Sequence, residues 1–149
     1  DPIIRISVQD QRLDLLSEDS LLGSYPVSTS RFGLGSDEGS MRTPLGKFRI
    51  AEKIGADVPS GTIFRGRVPV APDELPPATD DLVLTRILWH DGLEEHNANT
   101  RDRFIYIHGT NHEQEIGQPT SHGCIRMKNA DLIALFDQVP LGAEVVIST

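Results

Sequence analysis

Phe104-Ile105-Tyr106-Ile107-His108-Gly109-Thr110 and Ser121-His122-Gly123-Cys124-Ile125-Arg126-Met127 are the two stretches that decide how this chain is read. The first is β-branched and aromatic, which predicts a strand over 104–107 that delivers His108. A polar loop then runs to Ser121. Beyond the second stretch, Asn129 is placed to cap a helix whose Leu132, Leu135, Phe136 and Val139 share one face. Pro140-Leu141-Gly142 ends it, and Glu144 to Ile147 reads as a last strand. Upstream, Leu82 to Leu88 reads as an apolar strand. Trp89 to Arg103 is polar and reads as a surface loop bordering a site. Ile63 to Val70 holds a short strand among prolines and glycines.

The N-terminal half alternates. Ile4, Ile6 and Val8 interleave with Arg5 and Ser7, the period of a half-buried strand. Leu13–Leu16 and Leu21–Val27 are the next two strands, with Glu18-Asp19-Ser20 as the turn. A Ser- and Gly-rich loop over 29–46 ends in Thr43-Pro44-Leu45-Gly46, which suits a type I turn. Lys47–Ile54 resumes alternation. About eight strands and one helix make a mostly-β fold in one domain, residues 1–149.

Composition narrows the function. The 149 residues carry 14 Lys and Arg against 22 Asp and Glu, a formal charge of -8. Such a surface repels phosphate backbones, so nucleic acid is not an expected partner. No apolar run approaches the ~18 residues of a membrane helix, and no membrane partner is expected. Gly33-Leu34-Gly35 has no helix after it and is no dinucleotide fingerprint. Cys124 is the single cysteine, which excludes an intrachain disulfide and a Cys-rich zinc module.

A thiol becomes nucleophilic beside a base or a positive charge, and His108 and His122 are both candidates. Gly123 lets backbone amides approach a reacting carbonyl oxygen. Arg126 suits a bidentate carboxylate contact. Plainer readings stand beside these. A lone cysteine is commonly a small buried hydrophobe, and a strand-end histidine is commonly structural. His108, His112, His122 and Cys124 could also be four zinc donors, although their spacing is unlike a zinc knuckle.

His108-Gly109-Thr110 followed by Ser121-His122-Gly123-Cys124-Ile125-Arg126-Met127 resembles the signature of the L,D-transpeptidase (YkuD) family. Tyr25-Pro26-Val27-Ser28-Thr29 and Thr43-Pro44-Leu45-Gly46-Lys47-Phe48 resemble family segments too, so the likeness covers nearly the whole chain except residues 55–103. It implies a β-sandwich-like domain with one helix near the C-terminus. It implies Cys124 as nucleophile and His108 as base, with the Gly109 carbonyl orienting the imidazole. His122 and Gly123 would line the oxyanion hole, with Ser121, Arg126, Tyr106 and Trp89 near the substrate. For Arg126 a salt bridge with one of the acids is the equal alternative. For Tyr106 and Trp89 the commoner role is packing.

The implied substrate is a peptidoglycan stem tetrapeptide. Cys124 attacks the diaminopimelate carbonyl, D-alanine leaves, and an amine of a second stem takes the acyl group. No cofactor or metal is implied, and a monomer is expected. With water as acceptor the same site would be an L,D-carboxypeptidase. An inactive peptidoglycan-binding module is the third reading. A leader ahead of Asp1 would place the chain in the periplasm or cell envelope; the single domain is compatible with the cytoplasm as well.

Overall fold

A computed structural model describes residues 2–77 and 79–149. Ten strands and one α-helix are described, with three short 3-10 turns between them: β1 (Pro2–Ser7), β2 (Arg12–Ser17), β3 (Ser20–Ser28), β4 (Gly46–Ile54), β5 (Ile63–Arg65), β6 (Val68–Pro69), β7 (Val83–Gly92), β8 (Tyr106–Gly109), β9 (Ile125–Met127), α1 (Asn129–Gln138) and β10 (Glu144–Ser148). They form one sheet in the order β4-β10-β1-β2-β3-β9-β8-β7-β5-β6, and β4 also pairs with β7. Eight strands therefore close into a barrel-like sandwich. The β5–β6 hairpin hangs from the β7 edge through Ile63–Leu84 and Phe64–Val83. The β1–β10 and β8–β9 pairs are parallel and the other pairs antiparallel.

Strand alternation sorts the side chains. Ile4 and Ile6, Leu13 and Leu15, Phe48 and Ile50, Ile107, Ile125, Val145 and Ile147 are buried in one core. Leu132, Leu135 and Phe136 of α1 complete it, each burial stabilising by about 1.5–3 kcal/mol. Phe64, Ile87, Trp89 and Tyr106 form a second cluster on the other face of β7 and β8. Lys53 crosses to the end of α1, where its Nζ donates to the carbonyls of Phe136 (2.7 Å) and Val139 (2.6 Å). A cation there satisfies orphan carbonyls and opposes the helix dipole.

Four sequence expectations change. Trp89 to Gly92 belongs to β7, not to a loop, because Trp89 packs in the second cluster while His90 enters the barrel. The remaining loop is anchored rather than free: buried Asn97 donates to the carbonyls of Leu45 and Lys47. Residues 43–46 do not form a turn; Thr43 bridges Leu34, and Gly46 opens β4 at φ +113. A side chain at Gly46 would strike Glu94 and Asn97. Strand β8 begins at Tyr106, because Phe104 turns out with φ +58. Finally, Lys128 holds the helix N-cap position, and Glu113 Oε2 accepts the Asn129 amide at 2.7 Å. The Asn129 side chain instead donates to the Thr110 carbonyl at 3.0 Å.

His90 is fully buried and lies edge-on to Phe48 at 5.1 Å. Burial lowers its pKa to about 4. The unfolded chain, with its imidazole near 6.5, binds the proton first. Stability from this group is therefore full above pH 6.5 and falls as pH drops toward 4. Its share of the loss between pH 7.5 and 5 is about 2 kcal/mol. In urea unfolding, His90→Met is expected to lose about 2 kcal/mol less than wild type over that range. Identical losses in the two proteins would exclude His90 as the titrating group.

Candidate active site

Strands β8 and β9 run side by side with Ile107 opposite Ile125 and His108 opposite Arg126. Extending that register by one pair sets Tyr106 opposite Cys124. Since strand side chains alternate, Tyr106, His108, Cys124 and Arg126 share one face, and Ile107 and Ile125 enter the core on the other. His108 lies two residues along from the Cys124 level, about 7 Å at strand rise. Two stretches of the chain thus meet through one parallel strand pair.

The Cys124 Sγ receives the Tyr106 amide at 3.3 Å and donates to the Phe104 carbonyl at 3.4 Å. It packs against the Phe64–Ile87–Trp89–Tyr106 cluster. Burial pushes the thiol up to about 11, against the pull of the Tyr106 amide. The resting group is therefore a neutral thiol, not a thiolate.

His108 is buried, and its Nδ1 lies 2.5 Å from the Gly109 carbonyl. A carbonyl only accepts, so Nδ1 carries the proton and Nε2 keeps its lone pair. Burial lowers the pKa of His108 below its ordinary value, partly offset by this hydrogen bond and by Asp81. Gly109 itself is forced by close approach: a Cβ there would lie 2.7 Å from the Leu84 carbonyl and overlap the Asn129 side chain.

Asp81 is the residue that sequence reasoning missed. One oxygen accepts from His122 Nδ1 at 3.1 Å and the other from Arg126 at 3.1 Å. Burial pushes its carboxyl up, but His122, Arg126 and His108 together hold it below the usual range. Asp81 lies 41 positions before His122, and no local motif connects them. Arg126 is 1% exposed and also bonds Glu115 at 3.1 Å and Thr120. Of its two sequence readings, the buried ion-pair arrangement is what the structure contains. His122 is on the surface, its ring 5.9 Å from that of Phe32.

Ser121 is buried and ties the turn before the cysteine. Its Oγ donates to the Cys124 carbonyl at 2.6 Å and accepts the Gly123 amide at 3.3 Å. Gly123 has φ +123, a backbone side chains rarely adopt, and its carbonyl accepts from Thr43 Oγ1 at 3.0 Å. Trp89 is buried, donates to the Arg101 carbonyl, and meets Tyr106 edge-on at 5.4 Å. A shallow cleft of about 310 Å³ opens between the 38–41 loop and residues 102–105, bordered by His122. Among the described residues no three His, Cys, Asp or Glu side chains converge as metal ligands, so His108, His112, His122 and Cys124 do not form the zinc set weighed from the sequence.

The barrel and this site define a class. The profile of the YkuD L,D-transpeptidase catalytic domain matches residues 1–147, and the chain belongs to that family. YkuD of Bacillus licheniformis, which carries the L,D-transpeptidase name, is 50% identical over 145 residues, 97% of this chain and 64% of the relative. YqjB of Bacillus subtilis, also named for L,D-transpeptidase, is 27% identical over 148 residues, covering 99% and 72%. The structure of L,D-transpeptidase 3 from Mycobacterium tuberculosis with a faropenem-derived adduct superposes with a TM-score of 0.58 at 16% identity. It covers 99% of this chain and 60% of that one, and it shows a shared fold.

Proposed function

We propose that the chain is a cysteine acyltransferase acting on peptidoglycan stem peptides, with an amine as the final acceptor. The observation that carries this reading is the delivery of Cys124 and an oriented His108 to one face of the β8–β9 pair. Family membership supplies the substrate class.

Cys124 and His108 start as a neutral pair. As Sγ bonds to the diaminopimelate carbonyl carbon, its proton passes to His108 Nε2. The carbonyl oxygen takes the negative charge, and the backbone amides of the Gly123 turn are assigned as its donors. Collapse breaks the C–N bond, and the D-alanine amine leaves with the proton from His108. A thioester remains. The acceptor amine then attacks that carbonyl, gives its proton to His108, and the C–S bond breaks. The proton returns to Sγ. His122, held by Asp81, lines the approach.

The acceptor decides between transfer and trimming. Water is present at ~55 M and an amine at millimolar levels, so transfer needs an advantage on the order of 10⁵ from binding and orientation. The negative surface favours approach of a cationic ammonium group. The test supplies tetrapeptide alone and then with excess D-amino acid, and follows products by mass spectrometry. An exchanged tetrapeptide is expected. Tripeptide alone at every amine concentration would make the protein an L,D-carboxypeptidase.

A further inference from the structure

We propose that Arg67 receives a carboxylate of the substrate peptide beside Cys124. The inference rests on the stem-peptide reading and adds to it the group that recognises the anion. A tetrapeptide of this class carries a side-chain carboxylate on diaminopimelate and a terminal one on D-alanine. Arg126, the cation in the cysteine motif, is closed off: it is 1% exposed and engaged by Asp81 and Glu115.

Arg67 sits at the tip of the β5–β6 hairpin. Gly66 and Arg67 have φ +58 and +67, the backbone of a tight type I′ turn that fixes where the side chain starts. Its guanidinium carbon lies 5.0 Å from the ring centres of Trp89 and Phe104, and its Nη1 donates to the Tyr106 hydroxyl at 3.1 Å. Stacking engages the flat faces of a guanidinium, and one of its five N–H groups goes to Tyr106. The others remain for a planar, bidentate acceptor.

Two contrasts single Arg67 out. Arg101 also stacks on Trp89 at 5.0 Å but is paired with Glu52, and Arg103 donates to the carbonyls of Gly35 and Arg42. Arg67 forms no ion pair among the described residues, in a chain with 22 acidic side chains. The residues that hold it also hold the nucleophile: Tyr106 donates its amide to Sγ, and the Phe104 carbonyl accepts from it. Arg67 thus holds the hydroxyl end of the tyrosine whose backbone amide meets the sulfur.

The experiment compares wild type, Arg67→Met and Arg67→Lys on three tetrapeptides: unmodified, amidated on the diaminopimelate side chain, and ending in D-alaninamide. Peptide consumption gives kcat and KM, and neutral iodoacetamide labelling of Cys124 checks that the site is intact. On the unmodified peptide Arg67→Met is expected to lose about 10- to 100-fold in kcat/KM, chiefly through KM. Arg67→Lys recovers part of this. Amidating the contacted carboxyl lowers wild type to the Arg67→Met level and does not lower the variant further. Amidating the other leaves the gap intact, which identifies the carboxylate. Equal losses on all three peptides, or no loss, would overturn the assignment. If wild type consumes none of the peptides while Cys124 still labels, the stem-peptide reading fails, and the role of Arg67 fails with it.

Discussion

Cys124→Ala is expected to abolish turnover, by a factor on the order of 10⁴ or more, while the fold stays intact. The mechanism assigns the bond-forming atom to Sγ alone, and no second cysteine exists to replace it. Alanine loses the sulfur but asks for no new space. The groups it leaves behind, the Tyr106 amide and the Phe104 carbonyl, border a partly buried position. A carbapenem offers a strained amide carbonyl, and wild type is expected to gain one adduct by intact-protein mass spectrometry. The variant gains none. An adduct of the same mass on Cys124→Ala would refute the assignment. The thiol at about 11 adds a pH signature: simple alkylation of Cys124 should be slow at neutral pH and climb toward pH 11, since the thiolate is the reacting form.

His108→Ala should cost ~10²-fold or more in rate, and His122→Ala clearly less. A thiol held as SH needs a base at the moment of attack, and His108 keeps a lone pair on Nε2 because Nδ1 is committed to Gly109. His122 is a surface side chain, and removing it leaves Asp81 paired with Arg126. Because burial holds His108 below the ordinary histidine range, it stays neutral as pH falls through 6.5. The acid limb of kcat/KM in wild type is therefore expected below pH 6.5, and it should vanish from the residual rate of His108→Ala. Equal rates for the two variants, or a reversed order, would exchange their roles.

The sequence carried the mostly-β class through alternation in β1, β2, β4 and β10, and it carried the pairing of Cys124 with His108 through a resemblance that spans the chain. Alternation sets which face of a strand is buried but not which strand lies beside it, so ring closure through β4 and β7 was not visible. Trp89-His90-Asp91 looked like loop because a histidine inside a barrel breaks the apolar pattern. Asp81 and Glu115 were hidden for a different reason. Each is an ordinary acid in a polar stretch, and only the folded chain brings them to Arg126. Arg67 was hidden likewise, on a hairpin read only as a short strand.

Strand β10 lies between β1 and β4, parallel to β1, with Ile3 beside Glu144. These partners are about 140 positions apart, so the barrel closes through one of the least local pairings the chain could make, and such pairings form late. During synthesis β10 leaves the ribosome after every strand it joins. Until it docks, β1 and β4 each lack a neighbour and the ring stays open between them. Their unpaired N–H and C=O groups are then two exposed sheet edges, templates on which a second chain could pair, and docking of β10 removes both at once.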